Sequence, residues 1–240
     1  MSGLAYIYNR PVAKTVFKAT IPDFPIFDHH PDLVYLDSAA TTHKPKKVIR
    51  AITDFYETKY TSTGRGLYPL ATAGTRQFES TRQQVAAHFG VAGNRIAFTK
   101  SATESINIIA SGFLLPRLSP GDEVIVTAQE HHANFIPWQQ ACLSRKATLI
   151  VIPVDAQGAF SLSALKHAIT GRTRLITVTH ITNVLGTINP IESVIELAHQ
   201  HQIPVLVDAA QSAAFCDSRM LKDADFLVCS AHKMFGPQGL

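Results

Sequence analysis

The feature that most constrains the fold is a regular alternation of short apolar runs with longer segments of helical periodicity. The runs are rich in β-branched residues and are typical of buried strands; they lie at Arg95–Thr99, Glu123–Ala128, Ala147–Val154, Thr173–His180, Pro204–Asp208 and Asp225–Ser230. Between most of them the spacing predicts helices, at Pro45–Tyr60, Gly74–Phe89, Thr103–Phe113, Asn134–Arg145, Ser161–Ile169 and Ile191–His201. Continuously apolar strands that alternate with helices predict an α/β fold, a mainly parallel sheet with helices on both faces.

Composition supports a globular chain with a substantial core. Of the 240 residues, 46% are hydrophobic and 17% are charged, which is typical of a globular domain and not of a disordered or fibrous chain. The length suits one large domain with a short appendage, and we expect an N-terminal arm at 1–32 and a domain at 33–240. Pro11, Pro22 and Pro25 should keep the arm from becoming helical.

Charge and cysteine content argue against several kinds of partner. The net charge of +4 comes from scattered Lys and Arg residues, so no nucleic-acid partner is expected. No apolar run is long enough to span a membrane. Cys142, Cys216 and Cys229 lack CxxC spacing, which indicates neither a metal site nor a disulfide framework. A reducing, cytoplasmic location is expected, with an organelle presequence as the alternative, since no acidic residue precedes Asp23.

Polar residues follow the predicted strands, at the edge of a parallel sheet where ligands bind. Thr103 opens a helix rich in small and hydroxyl residues; such a helix start suits a phosphate, although a plain N-cap explains it as well. His131 and His132 follow the next strand. They could be metal ligands, one imidazole could stack on an aromatic ligand, or both could be ordinary loop residues. Asn183 stands where a substrate would lie but is also a common turn residue.

Two further strand ends carry charged residues. Asp208 ends an apolar strand, and a buried carboxylate needs a partner, either a structural group or a protonated pyridine nitrogen. Lys233 directly follows a buried strand; a partly desolvated lysine has a lowered pKa and suits Schiff-base chemistry. Each feature alone is weak evidence. Together, a helix start for phosphate, a stacking histidine, an aspartate and a lysine describe one ligand, pyridoxal 5'-phosphate (PLP).

The sequence also resembles a known family. From about Tyr35 to Leu240 it is similar to the Suf-type branch of cysteine desulfurases, within the class V group of fold-type I PLP enzymes. The resemblance implies that 33–240 form the PLP-binding large domain of such a transferase, without the C-terminal small domain. The residues that carry it are Tyr35-Leu36-Asp37-Ser38-Ala39-Ala40, Ala102-Thr103-Glu104-Ser105, Glu130-His131-His132-Ala133-Asn134 with Pro137-Trp138, Asn183-Val184-Leu185-Gly186, Val207-Asp208-Ala209-Ala210-Gln211 and Ser230-Ala231-His232-Lys233.

The resemblance implies a role for each matching position. Lys233 would hold the cofactor and move protons, and His131 would stack on the ring and assist proton transfer. Asp208 would pair with the ring nitrogen, and Gln211 would contact the ring hydroxyl. The remaining positions would bind the phosphate or the amino acid: Thr103, Ser230, His232 and the backbone near Ala102 for the phosphate, and Asn183, Ala39 and Ala40 for the amino acid.

The implied reaction removes sulfur from L-cysteine and gives L-alanine and an enzyme persulfide, for sulfur transfer or iron–sulfur cluster assembly. A homodimer and a sulfur-acceptor protein are the implied partners. In the family, the persulfide-forming cysteine and the arginine that binds the substrate carboxylate come later than the position of Leu240. The chain is therefore expected to be truncated, and unstable or inactive as a desulfurase by itself. Aminotransferase or selenocysteine lyase activity, or PLP binding without turnover, are the alternatives.

Overall fold

The structure, a computed structural model, describes residues 23–240. Its centre is a five-stranded sheet in which every pair of neighbouring strands is parallel. The strands are β1 (Glu123–Thr127), β2 (Thr148–Ile152), β3 (Thr173–Thr179), β4 (Val205–Asp208) and β5 (Phe226–Val228). They stand in the order β2-β1-β3-β4-β5, which confirms the predicted parallel sheet.

Helices connect the strands and cover both faces of the sheet. Within the described residues they are α1 (Ile26–His29), α2 (Lys46–Asp54), α3 (Pro69–Phe89), α4 (Ala102–Ile109), α5 (Ile136–Arg145), α6 (Leu162–Ala168) and α7 (Ile191–Gln200). Turns of π-helix extend α2 and α4, at Phe55–Lys59 and Ala110–Leu114. All six predicted helices are present. The helix predicted at Gly74 begins five residues earlier, at Pro69, because proline is well suited to a first helical turn.

Alternate strand residues enter two separate hydrophobic clusters, one on each face. Along β1, Ile125 packs in a cluster with residues of α6 and α7, whereas Val124 and Val126 pack in a second cluster with residues of α4 and α5. Successive side chains of a strand point to opposite faces, so both faces must be covered when every residue is apolar. Burial on both faces of the sheet therefore explains the continuous apolar runs of the sequence.

The strand predicted at Arg95–Thr99 is wrong. Arg95 ends a short 3-10 turn, and 96–99 carry no strand assignment. The segment has the composition of a strand, but among the described residues it has no neighbouring strand with which to form a ladder. Ala97 is exposed, and Phe98 and Thr99 are only half-buried.

The predicted N-terminal arm falls mostly outside the described residues, which begin at Asp23. The expectation that prolines prevent helix in the arm is wrong for its last part, because α1 directly follows Pro25. Pro25 occupies the N-cap position, where a missing backbone N–H costs nothing. Phe24 packs against Phe235, with ring centroids 6.0 Å apart, so this part of the arm contacts the body of the fold.

Candidate active site

A cavity of about 500 Å³ lies at the carboxyl ends of β3, β4 and β5. All the site residues predicted from the sequence line this one cavity. They are Ala39, Ala40, Ala102, Thr103, His131, Asn183, Asp208, Gln211, Ser230, His232 and Lys233. The structure therefore brings together side chains that are separated by nearly two hundred positions in the chain.

The start of α4 forms one wall of the cavity. Ser101 caps the helix, since its Oγ accepts a hydrogen bond from the Glu104 N–H at 3.1 Å. The Ala102 N–H donates to Oγ of Ser230 at 3.1 Å, which joins the helix to the residue that follows β5. The Thr103 N–H has no hydrogen-bond partner within residues 23–240. A free amide at a helix start, beside two hydroxyl side chains, is the chemistry that binds a phosphate.

Asp208 lies opposite the helix start, at the end of β4, and its side chain is buried. Oδ1 accepts a hydrogen bond from the Ala210 N–H at 2.9 Å. Oδ2 has no hydrogen-bond partner among the described residues, although Asp208 lines the cavity. Burial raises the pKa of Asp208, while the Ala210 amide and the charges of His131 and Lys233 act in the opposite direction. An unpartnered carboxylate oxygen on a buried residue that lines a cavity is suited to a cationic N–H of a ligand.

Lys233 ends the 3-10 turn Ala231–Lys233, which follows β5. The pKa of its ammonium group is lowered by burial, and the charge of Asp208 partly offsets that effect. Its Nζ makes no hydrogen bond within residues 23–240. By contrast, the nearby Lys44 donates to the carbonyl oxygens of Thr42 and His232, at 2.6 and 2.8 Å. Lys233 is therefore the better placed of the two lysines to react with a ligand.

The carbonyl oxygen of His232 fixes the loop that carries Lys233. Four donors converge on it: the Thr42 N–H at 3.0 Å, the Thr42 hydroxyl at 3.0 Å, the Thr41 hydroxyl at 3.2 Å and Lys44. The Thr42 hydroxyl also accepts the N–H of Phe235 at 2.9 Å. Burial lowers the pKa of the His232 imidazole, helped by the charges of Lys233 and Lys44. Residues that precede α2 therefore hold this loop at His232 and at Phe235.

His131 stands on the exposed side of the cavity and caps a short turn. Its Nδ1 accepts the N–H of Ala133 at 3.1 Å, and its Nε2 makes no hydrogen bond within residues 23–240. This hydrogen bond holds the ring in one orientation. An Nδ1 that accepts a hydrogen bond carries no proton. His132 does not line this cavity.

Glu130 precedes the histidine and is half-buried in a polar network. Its Oε1 accepts from the Thr127 hydroxyl at 2.6 Å and the Thr179 N–H at 2.9 Å, and its Oε2 accepts from Asn134 at 2.6 Å. Asn134 in turn accepts from Trp138 Nε1 at 3.0 Å. Burial raises the pKa of Glu130 to about 8, and the charge of Asp208 acts in the same direction. The three hydrogen bonds that its oxygens accept act in the opposite direction.

The remaining predicted residues line the open side of the cavity. Gln211 donates from Nε2 to the Ala39 carbonyl at 2.8 Å, so the segment around Ala39 and Ala40 is tied to the end of β4. Asn183 is exposed in the loop that follows β3. These positions suit contacts to a molecule that enters from solvent.

A family model for class-V aminotransferases matches residues 34–240. The chain belongs to the class-V aminotransferase family.

Within this family the chain is similar to cysteine desulfurases. It is 43% identical over 211 residues to a probable cysteine desulfurase of Vibrio cholerae, a match that covers 87% of this chain and 52% of the relative. The apo structure of the cysteine desulfurase of Thermococcus onnurineus aligns with a TM-score of 0.87 at 32% identity, over 92% of this chain and 55% of that one. The chain thus spans about half the length of the curated relatives it matches.

Two further solved structures carry ligands. SspA in complex with cysteine aligns with a TM-score of 0.79 at 29% identity, over 86% of this chain and 59% of that one. A C-DES variant with glycine covalently linked to its PLP cofactor aligns with a TM-score of 0.77 at 25% identity, over 91% of this chain and 57% of that one.

The three cysteines of this class-V chain lie away from the cavity. None of Cys142, Cys216 and Cys229 lines it. Burial raises the pKa of Cys142 and of Cys229 to about 11, so both thiols are protonated and poorly nucleophilic at neutral pH. Among residues 23–240 no cluster of three His, Cys, Asp or Glu side chains is arranged to hold a metal ion. No helix in the same range has the length and apolarity needed to cross a bilayer.

The sequence reasoning assigned no role to two groups that the structure places in the site. Glu130 appeared only as part of a motif, although a carboxylate between a buried strand end and two histidines was a signal. The Thr41, Thr42 and Lys44 side chains gave no such signal, because they reach the His232 carbonyl across 188 to 191 positions of sequence.

Proposed function

We propose that the chain supplies the cofactor-anchoring part of a PLP-dependent cysteine desulfurase. The observation that carries this proposal is the convergence of an unpartnered lysine amine, a buried carboxylate oxygen and a helix start on one cavity of about 500 Å³. The donor set fits PLP, which has an aldehyde, a pyridine nitrogen and a phosphate. The ligand in the C-DES structure and the names of the relatives support the same assignment.

Lys233 would hold the cofactor and move a proton at its Nζ. The lowered pKa provides the unprotonated amine that a carbonyl group requires. The hydrogen bonds from Thr41, Thr42 and Lys44 to the His232 carbonyl would keep the Lys233 side chain directed into the cavity.

Asp208 would orient the ring nitrogen through Oδ2 and keep that nitrogen protonated. PLP, when bound, supplies the electron sink for bond cleavage in an amino acid. Burial strengthens the pairing, because a charge pair in a region of low dielectric constant interacts more strongly than in water. At the other end of the ligand, the Thr103 N–H, Ser230 and His232 would bind the phosphate, with the backbone at Ala102 beside them.

His131 would stack on the ring with its plane fixed by the Ala133 amide, and would exchange a proton at Nε2. Glu130 would keep the histidine loop in place through Thr127, Thr179 and Asn134. Asn183, with the backbone of Ala39 and Ala40, would hold the amino acid, and Gln211 would contact the ring hydroxyl. These roles stay predictions, as does the division into an arm at 1–32 and a PLP-binding domain at 33–240.

The substrate would be L-cysteine and the products L-alanine and a persulfide sulfur. Cysteine bound to SspA supports this substrate class. The thiol that accepts the sulfur is none of the three cysteines in the printed sequence, because none lines the cavity. A homodimer, a sulfur-acceptor protein for iron–sulfur assembly and a cytoplasmic location complete the proposal.

Intact mass spectrometry after incubation with PLP and borohydride tests the anchor. The unaltered chain should gain one reduced PLP adduct, and Lys233→Ala should lose it. Lys166→Ala is the matched control, since Lys166 is exposed on α6 away from the cavity, and it should retain the adduct.

An adduct that persists in Lys233→Ala would contradict the assignment of the anchor. L-Alanine formation together with sulfide release in the presence of a thiol reductant distinguishes the desulfurase from other class V activities, because the reductant supplies the two electrons that convert persulfide sulfur to sulfide. Release from L-cysteine by the 240-residue chain, above a blank with PLP alone, would show that an acceptor thiol is not needed from elsewhere. Adduct formation without any turnover would favour a chain that binds PLP but does not act alone.

A further inference from the structure

Asn134 is a fully buried polar residue beside the candidate active site. It ends the 3-10 turn His132–Asn134, which lies between β1 and α5. A polar side chain with no exposure to solvent needs hydrogen-bond partners inside the protein, because an unpaired amide is costly to bury. The partners of Asn134 therefore show what holds this turn in place.

The side chain of Asn134 makes three hydrogen bonds, each to a different part of the fold. Its Oδ1 accepts from Nε1 of Trp138 in α5 at 3.0 Å and from the hydroxyl of Thr177 in β3 at 2.7 Å. Its Nδ2 donates to Oε2 of Glu130 at 2.6 Å. Trp138 and Thr177 are also fully buried, so the bonds to Oδ1 are shielded from water.

The indole of Trp138 fixes the direction of these hydrogen bonds. An indole N–H can only donate, so the oxygen of the Asn134 amide must face it and the nitrogen must face Glu130. Both carboxylate oxygens of Glu130 are then occupied, since Oε1 accepts the Thr127 hydroxyl and the Thr179 N–H. The series of donors from Trp138 through Asn134 to Glu130 therefore runs in one direction only.

The backbone of Asn134 connects this network to His131. Its N–H donates to the His131 carbonyl at 2.8 Å and closes the turn. Within the turn, the Ala133 N–H donates to Nδ1 of the His131 ring at 3.1 Å. A neutral imidazole that accepts at Nδ1 carries its proton on Nε2. The tautomer of His131 thus depends on a turn that Asn134 anchors to β3 and α5.

We propose that Asn134 is the positioning residue that holds the His131 ring in one orientation and in the Nε2–H tautomer. This inference rests on the proposed function, in which His131 stacks on the ring of PLP and exchanges a proton at Nε2. Asn134 does not line the cavity of about 500 Å³, so it acts on the site only through the turn.

An exchange of donor and acceptor between Glu130 and Asn134 separates this role from a loss of packing. In Glu130→Gln the new amide nitrogen must face another donor, either Nδ2 of Asn134 or the Thr179 N–H, so one hydrogen bond is lost. Adding Asn134→Asp restores a complementary pair, because the new amide can donate to the new carboxylate. The other oxygen of that carboxylate can still accept from Trp138 and Thr177.

Nuclear magnetic resonance of the chain labelled with ¹⁵N-histidine, without PLP, reads the tautomer directly. Spectra are recorded at about pH 8, where an ordinary imidazole is neutral, and the signal that His131→Gln removes identifies the residue. The unaltered chain should show His131 with its proton on Nε2. The His131 shifts should move toward an average of both tautomers in Glu130→Gln and return in the double variant.

Glu196→Gln is the matched control, since it makes the same change on the exposed face of α7. It should keep the His131 shifts of the unaltered chain. PLP affinity gives a second readout and should fall roughly tenfold in Glu130→Gln and recover in the double variant. Because the tautomer is read without PLP, a chain that shows the expected tautomers but binds no PLP would refute the proposed function and support the role of Asn134.

Three results would overturn the proposal: both tautomers of His131 in the unaltered chain, a single Nε2–H tautomer in folded Glu130→Gln, or a double variant that does not regain the single tautomer. Circular dichroism checks folding. Thr177→Val serves if Glu130→Gln does not fold, because it removes one donor to Oδ1 of Asn134 with little change in volume. It should also shift His131 toward the average, and unchanged shifts in this variant would overturn the proposal as well.

Discussion

β1, β3 and β4 form the closed middle of the sheet, whereas β5 and residues 96–99 present open edges beside it. Strands of the middle are paired on both sides and almost wholly buried. β5 has three residues, two of them only half-buried. The candidate active site lies across the boundary between these regions, because Asp208 and Glu130 belong to the closed middle, and Lys233 and Ser230 follow the open edge.

The comparison indicates which parts of the site are ordered before a ligand binds. Asp208 and Glu130 are held by hydrogen bonds to backbone and side chains of the closed middle. Ser230 and Ala102 are joined mainly to each other. The ring-binding side of the cavity should therefore be more ordered than the phosphate-binding side before a ligand binds.

The largest effect is expected from Asp208→Asn, which removes the carboxylate charge at the end of β4. PLP affinity should fall by at least roughly 100-fold, since loss of one partner of a buried charge pair costs about 3–5 kcal/mol. Without PLP the variant should be no less stable, because burial already disfavours the charged form of Asp208. Titration calorimetry and thermal unfolding measure the two effects.

Asp223→Asn is the control for this variant, since Asp223 is exposed and remote from the cavity. Equal PLP affinity in the two variants would show that Asp208 does not contact the cofactor.

The second effect compares apolar truncations in the two regions. Ile125→Ala in β1 should lower the free energy of unfolding by about 3 kcal/mol, because Ile125 is fully buried and leaves a cavity. Leu227→Ala in β5 should cost about 1 kcal/mol, since the side chain is half-exposed on the edge strand of the sheet. Urea denaturation measures both, and similar costs would remove the contrast between the regions.

The last prediction concerns the pH dependence that Glu130 produces. Its pKa is about 8 in the folded chain against an ordinary value of 4.5. The folded state therefore keeps a proton that the unfolded state loses, and stability should fall as pH rises between these two values. Glu130→Gln, which cannot ionise, should be less sensitive to pH over this range.

Unfolding free energies at about pH 5 and pH 8 check this prediction. Glu196→Gln on the exposed face of α7 is the control and should follow the unaltered chain. The Glu130 interpretation fails if both variants show the same slope with pH.

The sequence was sufficient to predict the closed middle and β5, but not the conformation of residues 96–99. Continuous apolar runs require burial on both faces, and the position of polar residues at strand ends follows from the parallel arrangement. Asp208 and Lys233 were found by that reasoning. The run at 96–99 has the same composition, yet a strand also needs a neighbour, and composition does not reveal whether a neighbour is present.

Side-chain contacts across the fold could not be predicted from the sequence, for a similar reason. The raised pKa of Glu130 depends on its position between β1, β3 and the turn that ends at Asn134, and no local pattern encodes that environment. The hydrogen bonds that Thr41, Thr42 and Lys44 donate to the His232 carbonyl depend on tertiary packing alone.

A crystal structure of the 240-residue chain soaked with PLP tests the central claim most directly. The account predicts continuous density from Nζ of Lys233 into the cavity of about 500 Å³. The ring nitrogen should lie within hydrogen-bond distance of Oδ2 of Asp208, and the phosphate should lie at the Thr103 amide. PLP bonded to Lys44, or a ring nitrogen directed away from Asp208, would contradict the account.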